Sequence, residues 1–101
     1  MIVYNITIRV DRSIDEAWLQ WQKEEQIPAI LETKLFTDYR IYRLMEQDEI
    51  EGNTYIIQLF ANTAAQLQEF LQIHDQRLRE KAFKKWGDRF ISFRTTMELV
   101  K

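Results

Sequence analysis

Residues 2–10 have the sequence IVYNITIRV, in which apolar and more polar side chains alternate. A period of two residues is typical of a β-strand with one buried face. The buried side of this strand would carry only large apolar groups, namely Ile2, Tyr4, Ile6, Ile8 and Val10. We therefore expect this strand to lie over the core.

Helical patterns follow this strand and a later one. Residues 13–16 (SIDE) and 63–66 (TAAQ) both match the capping box, in which side-chain oxygens accept from the unpaired backbone N–H groups at a helix start. Apolar residues at helical spacing continue from each box. Pro28 predicts a kink or a restart in the first helix, which should end near Thr33. Gly87 predicts the end of the second helix.

Three further segments have the composition of strands, with many aromatic and branched side chains. They are residues 35–45, 54–61 and 90–99, and an acidic loop at residues 46–51 separates the first two of them. In the last segment we expect Phe93 and Thr95 to face the helices. The third strand carries large apolar groups on both of its faces.

The resulting order, βαββαβ, predicts the ferredoxin-like α+β fold. In this fold a four-stranded antiparallel sheet has both helices on one face, and the first strand lies between the third and the fourth. We expect a single domain spanning residues 1–101. No repeat, linker or low-complexity tract divides the sequence.

The sheet face without helices is predicted to carry too much apolar surface to stay in water. A second copy of the chain is the simplest cover, and it would give a homodimer of packed sheets, a dimeric α/β barrel. Polar groups on this face would pair with one another, with the partner or with water. The predicted dimer face contains Asn5, Ile56, Gln58, Phe60, Phe90 and Arg94, beside Thr7 and Ser92, with Phe36 or Tyr42 joining from the second strand.

The composition excludes several kinds of site. The 101 residues include 0 Cys and 2 Gly, which excludes disulfides, thiolate metal sites and glycine-rich phosphate loops. We expect no metal and no cofactor. The apolar runs are too short for a bilayer or a signal peptide, so we expect a cytoplasmic protein without membrane contact. With a net charge of -2, the basic cluster at residues 77–89 does not lead us to expect nucleic acid as a partner.

Several stretches resemble a small bacterial family, the domain-of-unknown-function family 4286 of the dimeric α/β-barrel superfamily. They are residues 18–28, Phe36, residues 43–45, Thr54 and Tyr55 with Gln58, and above all residues 86–95 (WGDRFISFRT). The resemblance covers nearly the whole chain and implies the fold and a homodimer, but no activity. Other members often carry histidine before the Ile-Pro pair. This chain has Gln26 there, so no role of that histidine is carried over.

The superfamily resemblance also suggests antibiotic-biosynthesis-type monooxygenases and haem-degrading enzymes. In those enzymes an Asn, a Trp and a His meet in a cleft between sheet and helices. Here Asn5 and His74 are present, but the alternation places Asn5 on the face away from the helices, and the second helix offers Phe70 instead of Trp. We therefore expect that this triad does not assemble.

Two functions from different classes stay open. The first is a small-molecule-binding or enzymatic protein, with its ligand in a cleft between helices and sheet; the predicted lining is Tyr4, Trp21, Glu25, Tyr55, His74 and Thr95. The second is a structural or interaction module whose dimer has no catalytic site. A ligand site needs an open cavity with converging polar groups, whereas a module would fill that space with Trp and Phe. We favour the first because of the superfamily resemblance.

Three candidate residues have a structural alternative. His74 is the only histidine, the residue type most often used for proton transfer near neutral pH, but pairing with a backbone carbonyl or with Asp75 is the interpretation we favour. Glu25 beside Trp21 could be a general base, or it could simply reach water at the edge. Arg94 could anchor the dimer by pairing with Gln58 and a carboxylate such as Asp38 or Glu98, or it could bind an anionic ligand. For Arg94 we expect the anchor, because a buried cation needs a fixed partner.

Overall fold

The computed structural model describes residues 1–45 and 52–101 of the chain. Four strands form one antiparallel sheet in the order β2-β3-β1-β4, so the first strand is central. Their bounds are Ile2–Val10 for β1, Asp38–Arg43 for β2, Thr54–Ala61 for β3 and Phe90–Glu98 for β4. The predicted ferredoxin-like α+β fold is confirmed. The acidic loop predicted at residues 46–51 lies outside the described residues.

Two helical stretches connect the strands. The first consists of α1 at Asp15–Trp21, a π-helical segment at Gln22–Gln26, and α2 at Ile27–Glu32. The second consists of α3 at Ala64–Ile73 and α4 at Asp75–Trp86. Their apolar side chains share one core with the alternating residues of β1 and β3. None of the helices in the described ranges is long and apolar enough to cross a membrane.

The π-helical segment explains how the first helical stretch continues through Pro28. The N–H of Ile27 donates to the carbonyl of Gln22, five residues back, instead of four. Proline has no N–H to donate, and in an α-helix its ring clashes with the carbonyl four residues earlier. The wider π-turn precedes Pro28 and changes this spacing. The predicted kink is therefore a local π-turn within a continuous helical path.

One of the two predicted capping boxes forms. The Thr63 hydroxyl accepts from the N–H of Gln66 at 3.2 Å, and the Gln66 side chain accepts from the N–H of Thr63 at 3.2 Å. The box at residues 13–16 was wrong. The N–H and the hydroxyl of Ser13 both donate to the carboxylate of Asp11, at 2.8 and 2.7 Å, and the helix begins at Asp15. The Ser13 hydroxyl is consumed by this turn and is not available as a cap.

The second helical stretch has a break that the periodicity did not predict. His74 ends α3 and precedes α4 with a backbone φ of -114°, outside the helical range. The Leu78 N–H nevertheless donates to the His74 carbonyl at 3.2 Å, so a turn of helix continues beyond the break. Gly87 ends α4 with a φ of 65°, as expected for a residue without a side chain.

Gly52 has a glycine-specific conformation next to the end of β1. Its φ is 127°, and a Cβ atom added to it would lie 1.8 Å from the carbonyl oxygen of Val10. The adjacent Asn53 carbonyl accepts from the Val10 N–H at 2.9 Å. The close approach of the two backbones therefore requires glycine at position 52.

The facing of β4 is the main correction to the predicted fold. Ile6 pairs with Arg94, and Thr7 pairs with Phe93. Directly paired residues of an antiparallel sheet point to the same side, so Arg94 faces the helices with Ile6, and Phe93 faces away. The register of β4 against β1 determines which side chains of β4 face the helices. This register extends to a hydrogen bond from the Asp11 N–H to the Arg89 carbonyl at 2.8 Å. The alternation of residues 90–99 had predicted that Phe93 faces the helices and that Arg94 faces away.

The sheet side without helices is called the open face below. The register places on it Val3, Asn5, Thr7, Arg9, Asp38, Arg40, Tyr42, Thr54, Ile56, Gln58, Phe60, Ile91, Phe93, Thr95 and Met97. Phe93 is 66% exposed and Ile91 is 58% exposed, so large apolar groups of β4 are uncovered in the single chain. Phe36 was predicted as a possible member but is buried in the core, whereas Tyr42 does lie here.

Candidate functional site

A cavity of about 320 Å³ lies between the helices and the sheet. Most of its wall is apolar, and the apolar lining consists of Ile6, Ile8, Trp18, Ile30, Ile57, Phe70, Leu78, Ala82, Phe83 and Phe90. The polar lining consists of Tyr4, Gln22, Gln26, Asp75, Arg79, Ser92 and Arg94. Its volume is at the lower end of the roughly 300–1,000 Å³ that is usual for small-molecule sites.

Three polar side chains form a connected network at the cavity. The Tyr4 hydroxyl donates to Oδ1 of Asp75 at 3.0 Å, and Arg79 Nη2 donates to the Tyr4 hydroxyl at 3.4 Å. Nε of Arg79 lies 2.7 Å from Oδ2 of Asp75, one turn back on α4. Burial raises the pKa of Tyr4, an effect that hydrogen bonding from Arg79 opposes. Tyr4 therefore stays neutral near pH 7 and serves as a hydrogen-bonding group.

Arg94 contributes a second cation to the cavity wall. It projects from the helix-facing side of β4, and its Nη1 donates to the Ser92 hydroxyl at 2.8 Å. Its Nε atom is buried and has no hydrogen-bond partner. Within residues 1–45 and 52–101, no carboxylate oxygen forms a salt bridge with this guanidinium. The predicted anchor to Gln58 was wrong, because Gln58 lies on the open face.

Two glutamines of the π-helical segment are buried at the cavity. Nε2 of Gln26 donates to the Leu78 carbonyl at 2.9 Å, which joins the two helical stretches. Oε1 of Gln26 is buried without a partner, and Gln22 is also buried. Gln26 therefore has its donor satisfied and its acceptor buried without a partner.

Of the six residues predicted to line the cleft, Tyr4 does so. Trp21 is buried but packs edge-to-face on Trp86 instead, with ring centroids 5.9 Å apart. Tyr55 is buried against Trp18 at 5.2 Å between ring centroids, outside the cavity lining. These two aromatic residues stabilise the core beside the cavity.

Tyr55 belongs to a separate polar cluster at the start of α1. Its hydroxyl donates to Oδ1 of Asp15 at 2.6 Å, and the Asn53 amide donates to Oδ2 of the same carboxylate. Burial, together with the hydrogen bond to Asp15, raises the pKa of Tyr55 to about 12. The cluster attaches the N-terminus of α1 to β3, which is a structural role.

The other three predicted cleft residues lie elsewhere. Glu25 is exposed on the π-helical segment. Thr95 pairs with Asn5 on the open face, because the facing of β4 is reversed relative to the prediction. His74 is partly buried at the break between α3 and α4, and its Nδ1 lies 3.0 Å from Nη2 of Arg77. Arginine can only donate, so this nitrogen accepts, and His74 pairs with a neighbour on α4.

The residues predicted for the dimer face also lie in two different places. Asn5, Ile56, Gln58 and Phe60 share the open face, and Gln58 Nε2 donates to Asn5 Oδ1 at 3.4 Å. Phe90, Ser92 and Arg94 were placed there wrongly and line the cavity instead. Because Asn5 and the helices lie on opposite sides of the sheet, Asn5 and His74 do not meet, and the Asn-Trp-His triad is not assembled.

Sequence reasoning missed four polar residues of the cavity: Gln22, Gln26, Asp75 and Arg79. One signal was present, since Trp18, Gln22, Gln26 and Ile30 recur in steps of four. Such a stripe drifts by about 40° per step around an α-helix, and the wider π-turn offsets this drift. Ideal α-helical spacing from Trp18 and Trp21 predicts instead that Glu25, and not Gln26, faces inward.

The arrangement is chemically suited to binding. Apolar side chains form most of the wall, and the polar residues Tyr4, Gln22, Gln26, Asp75, Arg79, Ser92 and Arg94 complete it. Among the described residues no three His, Cys, Asp or Glu side chains come together in a way that could hold a metal ion. The polar groups are hydrogen-bond donors and acceptors that would orient a small molecule.

The family described as "Domain of unknown function (DUF4286)" matches residues 1–100, so the chain belongs to this family. Among curated proteins, none matches the sequence.

Solved structures with the same fold have little sequence identity to the chain. An ethyl tert-butyl ether D (EthD) family protein from Bacillus halodurans C-125 has a TM-score of 0.72 at 14% identity, with 99% of this chain and 100% of that chain covered. A dimeric ferredoxin-like protein from an uncultured marine organism has a TM-score of 0.73 at 8% identity, with 99% and 95% covered. A Deinococcus radiodurans protein provisionally described as an antibiotic biosynthesis monooxygenase has a TM-score of 0.69 at 11% identity, with 100% and 94% covered. At these identities the likeness establishes the fold alone.

Proposed function

We propose that this member of the DUF4286 family is a homodimeric small-molecule-binding protein whose ligand occupies the cavity between helices and sheet. The observation that carries the proposal is the cavity itself, with about 320 Å³ of space and polar groups from both helical stretches and from the sheet. An interaction module without a ligand would be expected to fill this space with large side chains. Instead, Trp21 and Trp86 pack on each other outside the cavity lining.

The homodimer is supported by the open face. Four of its apolar residues are at least 38% exposed in the single chain: Tyr42, Ile91, Phe93 and Met97. Exposed apolar groups of this size on one sheet face are usually covered in solution. One structure of similar fold is described as a dimeric ferredoxin-like protein. Sheet-to-sheet packing of two copies would cover the open face and leave the cavity, which lies on the other side, accessible.

The cavity proposal is tested by filling the space. Ala82 is 9% exposed on α4 and lines the cavity, so Ala82→Met would project three further heavy atoms into it. Ala65→Met is the matched control, because Ala65 is exposed on α3 and does not line the cavity. The readout is amide NMR of wild type and both variants during titration with a library of small aromatic and aliphatic compounds.

We expect compounds that shift the signals of Ile6, Ile57 and Phe70 in wild type and in Ala65→Met. These shifts should be lost in Ala82→Met while its melting temperature stays within a few degrees. The proposal is wrong if no compound perturbs the cavity residues, or if the perturbations persist unchanged in Ala82→Met.

A further inference from the structure

We infer that the ligand of this cavity is an amphipathic carboxylate whose charged end binds to Arg94. The inference rests on the proposed function, since it names the class of molecule that the cavity would take. It depends on the partners of Arg94, on the charge balance of the lining and on the apolar character of the remaining wall.

Arg94 has an unused hydrogen-bonding edge. A guanidinium has five N–H donors, and among the described residues only the bond from Nη1 to the Ser92 hydroxyl at 2.8 Å is formed. Nε is buried without a partner, and Nη2 beside it makes no hydrogen bond with any described residue. Nε and one Nη are the parallel pair of donors that a carboxylate accepts in a bidentate fashion. Arg94 therefore lacks acceptors in the described part of the chain, and a carboxylate that reaches this guanidinium from the cavity would supply them.

The charges of the cavity lining are unbalanced. The charged side chains that line the cavity in residues 1–45 and 52–101 are Asp75, Arg79 and Arg94. Asp75 already pairs with Arg79 at 2.7 Å and accepts from Tyr4 at 3.0 Å. Arg94 is thus a cation without a counter-ion in the part of the chain that the structure describes, and arginine cannot lose its proton to avoid this. One negative charge on a ligand would balance the site.

The rest of the wall selects against a bare inorganic anion. Ile6, Ile57, Phe70 and Leu78 present hydrocarbon to the same space, and a phosphate or sulfate ion would leave these groups facing water. A flat or compact hydrocarbon body with one carboxylate matches both parts of the lining. Tyr4, Arg79 and Ser92 supply further polar groups on the cavity wall for substituents of the ligand.

Two probes of the same shape separate the effect of ligand charge on binding from the effect of ligand shape. They are 2-naphthoate and its uncharged analogue 2-naphthamide, titrated into the protein by isothermal calorimetry at pH 7. Arg94→Gln removes the charge of the proposed group. Arg12→Gln is the matched control, because Arg12 is an exposed arginine that does not line the cavity.

We expect wild type to bind 2-naphthoate at least tenfold more tightly than 2-naphthamide. Arg94→Gln should lose this preference through a tenfold or greater loss for 2-naphthoate, with 2-naphthamide changed less than twofold. Arg12→Gln should retain the wild-type values. If Arg94→Gln fails to fold, two results still test the inference. Wild type should prefer 2-naphthoate to 2-naphthamide, and Arg94→Lys should keep part of this preference.

The failure of this inference differs from the failure of the proposed function. Equal binding of both probes by wild type, abolished in both cases by Ala82→Met, would overturn the role of Arg94 and leave the cavity as a ligand site. A preference for 2-naphthoate that persists in Arg94→Gln would also overturn it. Absence of binding by either probe would count against the cavity itself as a ligand site.

Discussion

The two faces of the sheet differ although they are built from the same strands. Ile57 is 2% exposed under the helices, whereas its neighbour Ile56 lies on the open face and is only partly buried. Both are isoleucines of β3, so the difference in environment comes from the alternation of the strand and not from the residue type. One face is stabilised within the chain, and the other has apolar surface that the single chain leaves uncovered.

The edge strand β4 shows the contrast most clearly. On the helix side it carries Phe90, Ser92 and Arg94 around the cavity, and on the open side it carries Ile91 and Phe93. The more polar side therefore faces the interior, and the more apolar side faces away. A strand with this distribution is consistent with a ligand on one side and a protein partner on the other, which is the combination that we propose.

The largest effect is expected from placing a charge on the open face. In the proposed dimer Phe93→Glu would bury a carboxylate twice, once from each copy, at several kcal/mol each. We expect the dissociation constant of the dimer to rise by at least about 1,000-fold, which corresponds to roughly 4 kcal/mol. Light scattering coupled to gel filtration measures the mass over a dilution series.

The matched control is Ile73→Glu, since Ile73 is 63% exposed on α3 and does not belong to the sheet. This variant should keep the mass of wild type. A wild-type protein that is monomeric, or a Phe93→Glu variant with an unchanged mass at all concentrations, would show that the open face is not the interface.

The second prediction compares the two isoleucines directly. Ile57→Ala removes core packing and should lower the free energy of unfolding by about 3 kcal/mol. Ile56→Ala should lower it by less than half as much in urea denaturation at low protein concentration, where the proposed dimer is dissociated. Equal losses for the two variants would mean that the faces are not energetically distinct in the single chain.

The third prediction concerns the polar network at the cavity. Asp75→Asn removes the charge that pairs with Arg79 and one acceptor of the Tyr4 network. We expect a loss of about 1–2 kcal/mol in the free energy of unfolding. Asp88→Asn, at an exposed aspartate, is the control and should change it little. Equal melting temperatures of the two variants would show that the network adds no stability.

The smallest effect is expected at Tyr55. Tyr55→Phe removes the 2.6 Å hydrogen bond to Asp15 and should cost about 1 kcal/mol at pH 7. The pKa of Tyr55 is raised from 10.0 to about 12, so the folded state holds this proton more tightly than the unfolded state. The contribution is complete below pH 10 and is lost as the pH rises from 10 through 12.

The difference in the free energy of unfolding between wild type and Tyr55→Phe should therefore become smaller above pH 10. Urea denaturation at a series of pH values measures this difference, called the gap here. Tyr39→Phe, at an exposed tyrosine of β2, is the control and should show no such gap at pH 7. A gap that stays constant up to pH 12 would contradict the assigned pKa shift.

The strand order, the βαββαβ topology and the core side of β1 and β3 could be predicted from the sequence alone. Regular alternation in β1 favours the side of Tyr4, Ile6 and Ile8 as the buried one, and these residues are buried in the structure. In β3 both sides carry apolar groups, and Tyr55, Ile57 and Leu59 are the buried set, facing the core together with β1. The capping box at Thr63 is equally local, because its partners are three residues apart. Such features depend on neighbours in the sequence and are readable there.

The facing of β4 and the lining of the cavity were decided by tertiary structure. Both phases of residues 90–98 mix apolar and polar groups, so only the register with β1 places Arg94 inside and Phe93 outside. The π-turn before Pro28 brings Gln26 inward and leaves Glu25 exposed, a shift that ideal α-helical spacing does not predict. Asp75 and Tyr4 are 71 positions apart, and only the fold brings them within a hydrogen bond. Local periodicity cannot fix contacts between distant segments, because these are chosen by the packing of the whole domain.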